Sequence, residues 1–152
     1  MKQSIHFLVI DPQNDFCDLP ADWLGTDAAT GVPLQPALPV AGAHAGMLWL
    51  AGLIREGAGG TAGITLTLDS HHRFDIAHPT FWQARGGGAV VPFTPITAAQ
   101  VRAGDYLPRD AAALPRALVY LDELERRGRY TLMVWPVHCE IGSWGHNVHA
   151  AV

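Results

Sequence analysis

The chain has 152 residues, of which 49% are hydrophobic and 16% are charged, against roughly 25% charged residues in an average soluble protein. This composition excludes a disordered chain, and the length fits a single domain, which we place at residues 1–152. Ten basic and fourteen acidic side chains give a net charge of −4, which argues against a nucleic-acid-binding protein. No apolar stretch approaches the ~20 residues of a membrane span, and two cysteines are too few for a disulfide framework. We therefore expect a reduced, cytoplasmic protein without a membrane partner.

Three apolar runs of strand length occur along the chain. They cover residues 5–10, 64–68 and 130–134; an aspartate directly follows each of the first two, and Trp135 and Pro136 follow the third. Their apolar residues are continuous rather than alternating, which is typical of strands buried on both faces of a parallel sheet.

Helical patterns separate these runs. Apolar residues repeat at helical spacing over 39–56, and again over a segment that starts at Asp110 or at Leu114 and ends near Arg127. A short helix over 97–103 is also expected, with Thr97 as its N-cap. The order strand, helix, strand, helix, strand predicts an α/β fold, a three-layer Rossmann-like parallel sheet with flanking helices. Because a third helix has barely begun when the sequence stops, we expect this sheet to be incomplete at its carboxyl end.

Polar residues follow each predicted strand at the point where it ends. Asp11 follows the first run, Asp69 follows the second, and the segment 135–138 follows the third. In open parallel sheets, ligands bind outside the carboxyl ends of the strands. The sequence therefore predicts one functional edge that collects all three groups.

The segment after the second run has the pattern of a metal site. In an extended chain, Asp69 and His71 project to the same side, and His138 could add a ligand from the third strand end. A carboxylate with imidazoles suits Zn²⁺, Fe²⁺ or Mn²⁺. His72 and His78 are weaker candidates in the same loop, and the alternative is that these are histidines of a surface loop.

Two interpretations of Asp11 remain open on this evidence. It is either a general base at the edge of the sheet or a residue that ends the strand and caps the next turn.

Three motifs in this order resemble those of the nicotinamidase/isochorismatase-like cysteine hydrolases. Residues 9–16 read V-I-D-P-Q-N-D-F and resemble the family's D-x-Q-N-D-F opening, and residues 67–71 read T-L-D-S-H, like its strand that ends in D-x-H. Residues 135–145 read W-P-V-H-C-E-I-G-S-W-G and resemble the W-P-x-H-C-x-x-G-T-P-G segment of the nicotinamidase branch.

This resemblance implies a chemistry and a role for each matching residue. Asp11 matches the catalytic aspartate that activates a cysteine nucleophile, and Asp69, His71 and His138 match the metal ligands. His78 lies close to a position that supplies a further ligand in some members. Phe16 and Trp135, in turn, match aromatic residues that wall the substrate ring. The implied reaction is metal-dependent hydrolysis of a small carboxamide, nicotinamide first of all, to the acid and ammonia, with zinc as the first choice of metal and iron or manganese as alternatives. We also expect a homo-oligomer.

The family's lysine and nucleophilic cysteine have no counterpart in the sequence. Lys2 is the only lysine and stands at the opposite end of the first strand from Asp11. Cys139 follows His138, and a metal-bound imidazole has no lone pair left to accept a thiol proton, while Cys17 matches no nucleophile position. We therefore expect both missing groups outside this chain. The alternatives are a catalytically inactive metal- or ligand-binding remnant of the fold, or a metal-free isochorismatase-like hydrolase.

Overall fold

The computed structural model describes residues 4–152, which form two compact units. The first unit consists of residues up to 71 together with 138–152, and the second unit consists of residues 72–137. The strands and helices are β1 (Ile5–Ile10), α1 (Ala43–Glu56), β2 (Thr61–Thr67), β3 (Trp82–Ala84), β4 (Thr94–Ile96), α2 (Ala98–Arg102), β5 (Tyr106–Pro108), α3 (Leu114–Arg126) and β6 (Leu132–Val134).

A parallel pair of strands forms the sheet of the first unit. Strand β1 pairs with β2 from Ile5–Thr61 to Ile10–Thr67, with one irregularity after the first pair. The connection from β1 to β2 carries α1, so the predicted strand–helix–strand order is confirmed for this half of the pattern. Strand β2 begins earlier than predicted, at Thr61, so that the last glycine of the stretch after α1, Gly63, lies within the strand and pairs with His6.

The amino end of α1 is held by a side chain from outside the helix. Gly42 precedes the helix in a left-handed conformation with φ of 85°, and Asp18 accepts hydrogen bonds from the N–H groups of Gly42 and His44 at 2.7 and 2.8 Å. These backbone donors, His44 before Gly42, lower the pKa of the Asp18 carboxyl. Asp18 thus satisfies helix donors that would otherwise need water.

A buried histidine joins the last residues of the sequence to α1. His149 is 1% exposed, and its Nδ1 accepts a hydrogen bond from the N–H of Ala151 at 3.1 Å. Its Nε2 therefore carries the proton of the neutral ring and donates to Nδ1 of His44 at 2.9 Å. Trp23 stacks on the His149 ring with centroids 5.1 Å apart. Burial, with the nearby His44, lowers the pKa of His149.

We expect the first unit to lose stability as the pH falls through the range where histidine titrates. Because the folded-state pKa of His149 lies below its unfolded value of about 6.5, the unfolded chain binds the proton more readily, and this contribution to stability is lost as the pH falls below about 6.5. Urea unfolding at pH values between about 8 and about 5.5 measures this loss of stability. The Asp18 carboxyl, whose pKa is lowered, stays ionised throughout this range and does not contribute to the change. The free energy of unfolding should decline less steeply in His149→Gln than in the wild type, and equal slopes would contradict the assignment.

The second unit is built from two antiparallel strand pairs and two helices. Strand β3 pairs with β5, and β4 pairs with β6. Its apolar core collects buried residues from β3, β4, β6 and both helices and from the loops beside them, namely Phe81, Trp82, Val90, Ile96, Ala98, Val101, Ala117, Leu121, Leu132 and Val134. The Trp82 indole N–H donates to the carbonyl of Ile76 at 2.7 Å, so the largest buried ring has its polar atom satisfied.

One prediction about the sheet is wrong in the described part of the chain. The run at 130–134 does not continue the parallel pair β1–β2 as a third strand; it shortens to Leu132–Val134 and pairs antiparallel with Thr94–Ile96. An apolar run indicates a strand but carries no information about its partner or direction, and here the partner comes from the long connecting stretch before it. A mixed α/β fold with a small parallel sheet is what the structure shows.

The helix predictions within this unit are confirmed. Helix α2 begins after Thr97, whose side chain forms a reciprocal capping box with Gln100. Helix α3 begins at Leu114, the later of the two predicted starts, with Pro115 in its first turn. Among the described helices, none has the length and apolar character needed to cross a membrane.

Candidate metal centre

The carboxyl ends of β1 and β2 bring two acidic residues to one edge of the parallel pair. The ladder ends at the pair Ile10–Thr67, and Asp11 and Asp69 follow it on their respective strands. The two apolar runs thus deliver both carboxylates to the same edge, as the sequence predicts.

Asp11 is held in an uncommon backbone conformation. Its φ is +49°, in the left-handed region that non-glycine residues seldom adopt. The Thr67 hydroxyl donates to Oδ1 of Asp11 at 2.7 Å, and the N–H of Asp11 donates to the carbonyl of Thr67 at 3.2 Å. The carboxylate is therefore oriented by the neighbouring strand, and its partial exposure leaves it accessible. Both predicted roles, base and strand terminator, are compatible with this geometry.

Asp69 lies between two imidazoles and presents one oxygen to each. Its Oδ1 is 3.0 Å from Nε2 of His71, and its Oδ2 is 3.1 Å from Nε2 of His138. The ligand atoms of the two histidines lie within 4.8 Å of each other. His138 is 4% exposed and His71 16%, whereas the Asp69 side chain is 32% exposed, so the cluster has a buried side and an open side.

A backbone ladder beyond the strands brings His138 to this position. The N–H of His71 donates to the carbonyl of Cys139, and the N–H of Ile141 donates to the carbonyl of His71, both at 3.0 Å. Cys139 turns the chain with a φ of +46°. The segment that follows the third apolar run thus pairs with the segment after β2 although the run itself does not.

The donor set fits a divalent cation such as zinc. Two ligand atoms at about 2 Å from a tetrahedral zinc ion lie about 3.3 Å apart, close to the carboxylate–imidazole distances here. Three protein ligands with one open side is the arrangement of catalytic zinc sites. The set of one carboxylate and two imidazoles is equally compatible with iron or manganese. His71 and His138 offer ligand atoms close enough together for a metal ion, and Asp69 as a further ligand stays a prediction.

The remaining predicted site residues are divided between the two units. Phe16 lies in the first unit, with its ring edge-on to His138 at a centroid distance of 5.7 Å. His78 and Trp135 belong to the second unit, where His78 is fully buried and Trp135 is 37% exposed, packed edge-on against Phe93. His72, also in that unit, is exposed. The roles of His78 and Trp135 in the site stay predictions.

Neither cysteine is placed as a nucleophile. Cys17 and Cys139 are both buried free thiols. Burial, reinforced by Asp15, Asp69 and Asp11, raises the pKa of Cys139 to about 12, and burial with Asp18 raises that of Cys17. A thiol that stays protonated and inaccessible attacks no carbonyl group. Lys2 lies outside the described residues.

Sequence reasoning missed that three consecutive polar residues of the first motif are buried and tie distant segments of the first unit together. Gln13, Asn14 and Asp15 are buried, and all of their side chains bond backbone groups of distant segments. Asp15 accepts from the N–H of Cys139 at 2.7 Å and of Ala37 at 3.0 Å, and Asn14 donates to the carbonyl of Trp144 at 2.9 Å. The signal was available, because three adjacent polar residues in the first motif need partners if they are buried.

Comparisons with known proteins identify the fold. No protein-family profile and no curated protein sequence matches the chain. Two solved structures of the yeast nicotinamidase Pnc1p match it, one with a TM-score of 0.55 and 19% identity, the other, bound to the inhibitor nicotinaldehyde, with a TM-score of 0.54 and 18% identity. Each match covers 96% of this chain and 49% of the enzyme, so the chain spans about half the length of these structures. At this identity the likeness shows that the chain has the fold of this part of the nicotinamidase.

Proposed function

We propose that this chain carries the metal-binding part of an amide hydrolase of the nicotinamidase kind, with nicotinamide as the first substrate to test. The observation that carries the proposal is the Asp69 carboxylate, which faces Nε2 of both His71 and His138 at the end of a parallel strand pair. The fold shared with the yeast nicotinamidase supports the reaction class.

Each residue of the site has a proposed task. Asp69, His71 and His138 hold the ion, zinc in the first place, and His78 is proposed as a further ligand. When bound, the ion supplies a Lewis-acidic site that holds a donor atom of the substrate, such as a pyridine nitrogen. Phe16 and Trp135 are proposed to flank the substrate ring.

Asp11 is proposed as the general base. Its carboxylate takes the proton of a cysteine thiol, and the thiolate attacks the carboxamide carbon. Asp11 then returns this proton to the leaving nitrogen, ammonia departs, and water hydrolyses the resulting thioester to the acid and the free thiol. The hydrogen bond from the Thr67 hydroxyl fixes one oxygen of Asp11 and leaves the other for this proton. Because Cys17 and Cys139 are both buried, the nucleophile and its lysine are proposed to come from outside this chain.

Exposed apolar side chains on the sheet support this division of the enzyme. Leu8 and Ile10, on one face of β1, are 61% and 67% exposed, although parallel sheets are normally covered on both faces. We propose that the part of the enzyme that supplies the lysine and the cysteine covers this face with further strands and helices, which completes the layered sheet. Assembly into a homo-oligomer and function in a reducing, cytoplasmic compartment are further proposals; the free thiols support the second.

Metal binding and ammonia release together test the function. The native protein, with its intact mass measured, is dialysed against zinc and then assayed for ammonia release from nicotinamide. We expect one bound ion per chain and an activity that chelation abolishes. A protein that binds no divalent ion when offered zinc, iron or manganese would contradict the metal site and favour the metal-free hydrolase.

A second function is favoured by the absence of an accessible thiol among residues 4–152. On this proposal the chain is a metal- or ligand-binding protein without catalysis. An intact mass equal to that of the 152 residues, with zinc bound and no ammonia released, would select it over the hydrolase.

A further inference from the structure

Asp69 lies just beyond the regular hydrogen bonding of the sheet. The β1–β2 ladder ends at the pair Ile10–Thr67, so the backbone of Asp69 is not held by the neighbouring strand in the way that the residues before it are. Its carboxylate must nevertheless point both oxygens at two imidazoles within narrow limits. Something else has to fix its backbone.

The side chain of Gln13 takes the place of a strand at this point. Its Oε1 accepts from the N–H of Asp69 at 2.8 Å, and its Nε2 donates to the carbonyl of Asp69 at 2.9 Å. The second hydrogen of Nε2 is directed to the carbonyl of His146 at 2.9 Å. The amide orientation follows from these partners, since an N–H only donates and two carbonyls only accept.

Both amide hydrogens and the Oε1 atom of Gln13 are used in these bonds, and the residue has no solvent exposure. A carboxylate has no hydrogen for the two carbonyls, and a thioether or aliphatic chain of the same length serves none of the three groups. Asparagine has the same amide on a chain one carbon shorter. Only a glutamine side chain provides two donors and one acceptor at this reach.

We infer that Gln13 is the positioning residue for Asp69 in the metal centre. It contacts no ligand atom; it fixes the backbone of Asp69 from both sides and so sets the direction of the carboxylate towards His71 and His138. The inference rests on the proposed metal site. Hydrogen-bonding partners behind metal ligands characteristically change metal affinity by roughly 10- to 100-fold.

The test compares metal binding in Gln13→Met with the wild type. Methionine has a similar volume and length and makes none of the three hydrogen bonds. We expect zinc affinity, measured by competition with a chromophoric chelator, to fall roughly 10- to 100-fold. The absorption spectrum of bound Co²⁺ should change as well, because a reoriented carboxylate alters the ligand geometry.

Asn14→Leu is the matched control. Asn14 is also buried and bonds the same loop, through the carbonyl of Trp144, but it has no contact with Asp69 among its hydrogen bonds. It should retain wild-type zinc affinity and the wild-type Co²⁺ spectrum even where urea unfolding shows a loss of stability. An Asn14→Leu protein that loses as much affinity as Gln13→Met would show general loosening and overturn the inference.

The remaining outcomes are also decisive. Unchanged affinity and spectrum in Gln13→Met would overturn the positioning role and leave the proposed function intact, whereas a wild-type protein that binds neither zinc nor cobalt would overturn both. If circular dichroism shows that Gln13→Met is unfolded, Gln13→Asn is tested instead under the same criteria. Asparagine keeps the amide, but its side chain is one carbon shorter and does not reach the backbone of Asp69.

Discussion

Replacing Gly145 with alanine should lower the free energy of unfolding by about 3 kcal/mol, the upper part of the range for overpacked interiors. A Cβ on Gly145 would overlap the carboxylate of Asp15. That carboxylate cannot move aside without cost, because the N–H groups of Cys139 and Ala37 hold its two oxygens and it is only 6% exposed. Urea unfolding followed by circular dichroism measures the change.

Gly46→Ala is the control for this substitution. Gly46 lies in α1 with open space where its Cβ would be, so alanine there should stabilise the protein by roughly 0.5–1 kcal/mol through helix propensity. A Gly145→Ala protein as stable as the wild type would show that the Asp15 carboxylate has room to move, and that it is not the rigid tie between its own loop and the segment after His138.

Replacing His138 with alanine should reduce zinc affinity by at least roughly 100-fold. This is more than the loss expected when only a hydrogen-bonding partner of a ligand is removed, because His138 is itself a proposed ligand. The variant removes the imidazole that faces Oδ2 of Asp69, and with it one of the proposed ligands. The same change removes one partner of the partly exposed Asp69 carboxylate, which should cost the metal-free protein about 1 kcal/mol of stability.

His146→Ala separates ligand loss from a general effect on the loop. The His146 ring bonds the Ser70 hydroxyl at 2.9 Å, whereas its backbone carbonyl is the group that Gln13 contacts, so removal of the ring should leave zinc affinity unchanged. If His138→Ala still bound zinc and His146→Ala did not, the ligand would be His146 rather than His138. Thermal unfolding with and without zinc provides an independent readout, because an ion that binds only the folded state raises its stability.

The local elements were predictable because their signals are local. The continuous apolar run at residues 5–10 forms the strand as predicted, and Thr97 caps α2 through a pattern of four residues. Asp11 and Asp69 could be placed at one edge because each follows an apolar run directly and because strands joined by a single helix run parallel.

Pairing over long distances was not predictable from the same signals. The apolar pattern at 130–134 is equally compatible with a parallel or an antiparallel neighbour, and the partner that the structure gives it, β4, lies in the long stretch before it. The tasks of Gln13 and Asp15 were missed for a related reason: a buried polar side chain is recognised by its partners, and these are contributed by backbone far along the chain.

The sequence by itself predicted which residues are candidates for the chemistry, because the residue types able to bind a cation or take a proton are few and stand close after the predicted strands. The tertiary structure alone decided that Asp69 shares its two oxygens between His71 and His138, and that Gln13 holds Asp69 in place. These arrangements depend on side-chain directions and on contacts between segments that are distant in the chain, and neither is encoded in local spacing.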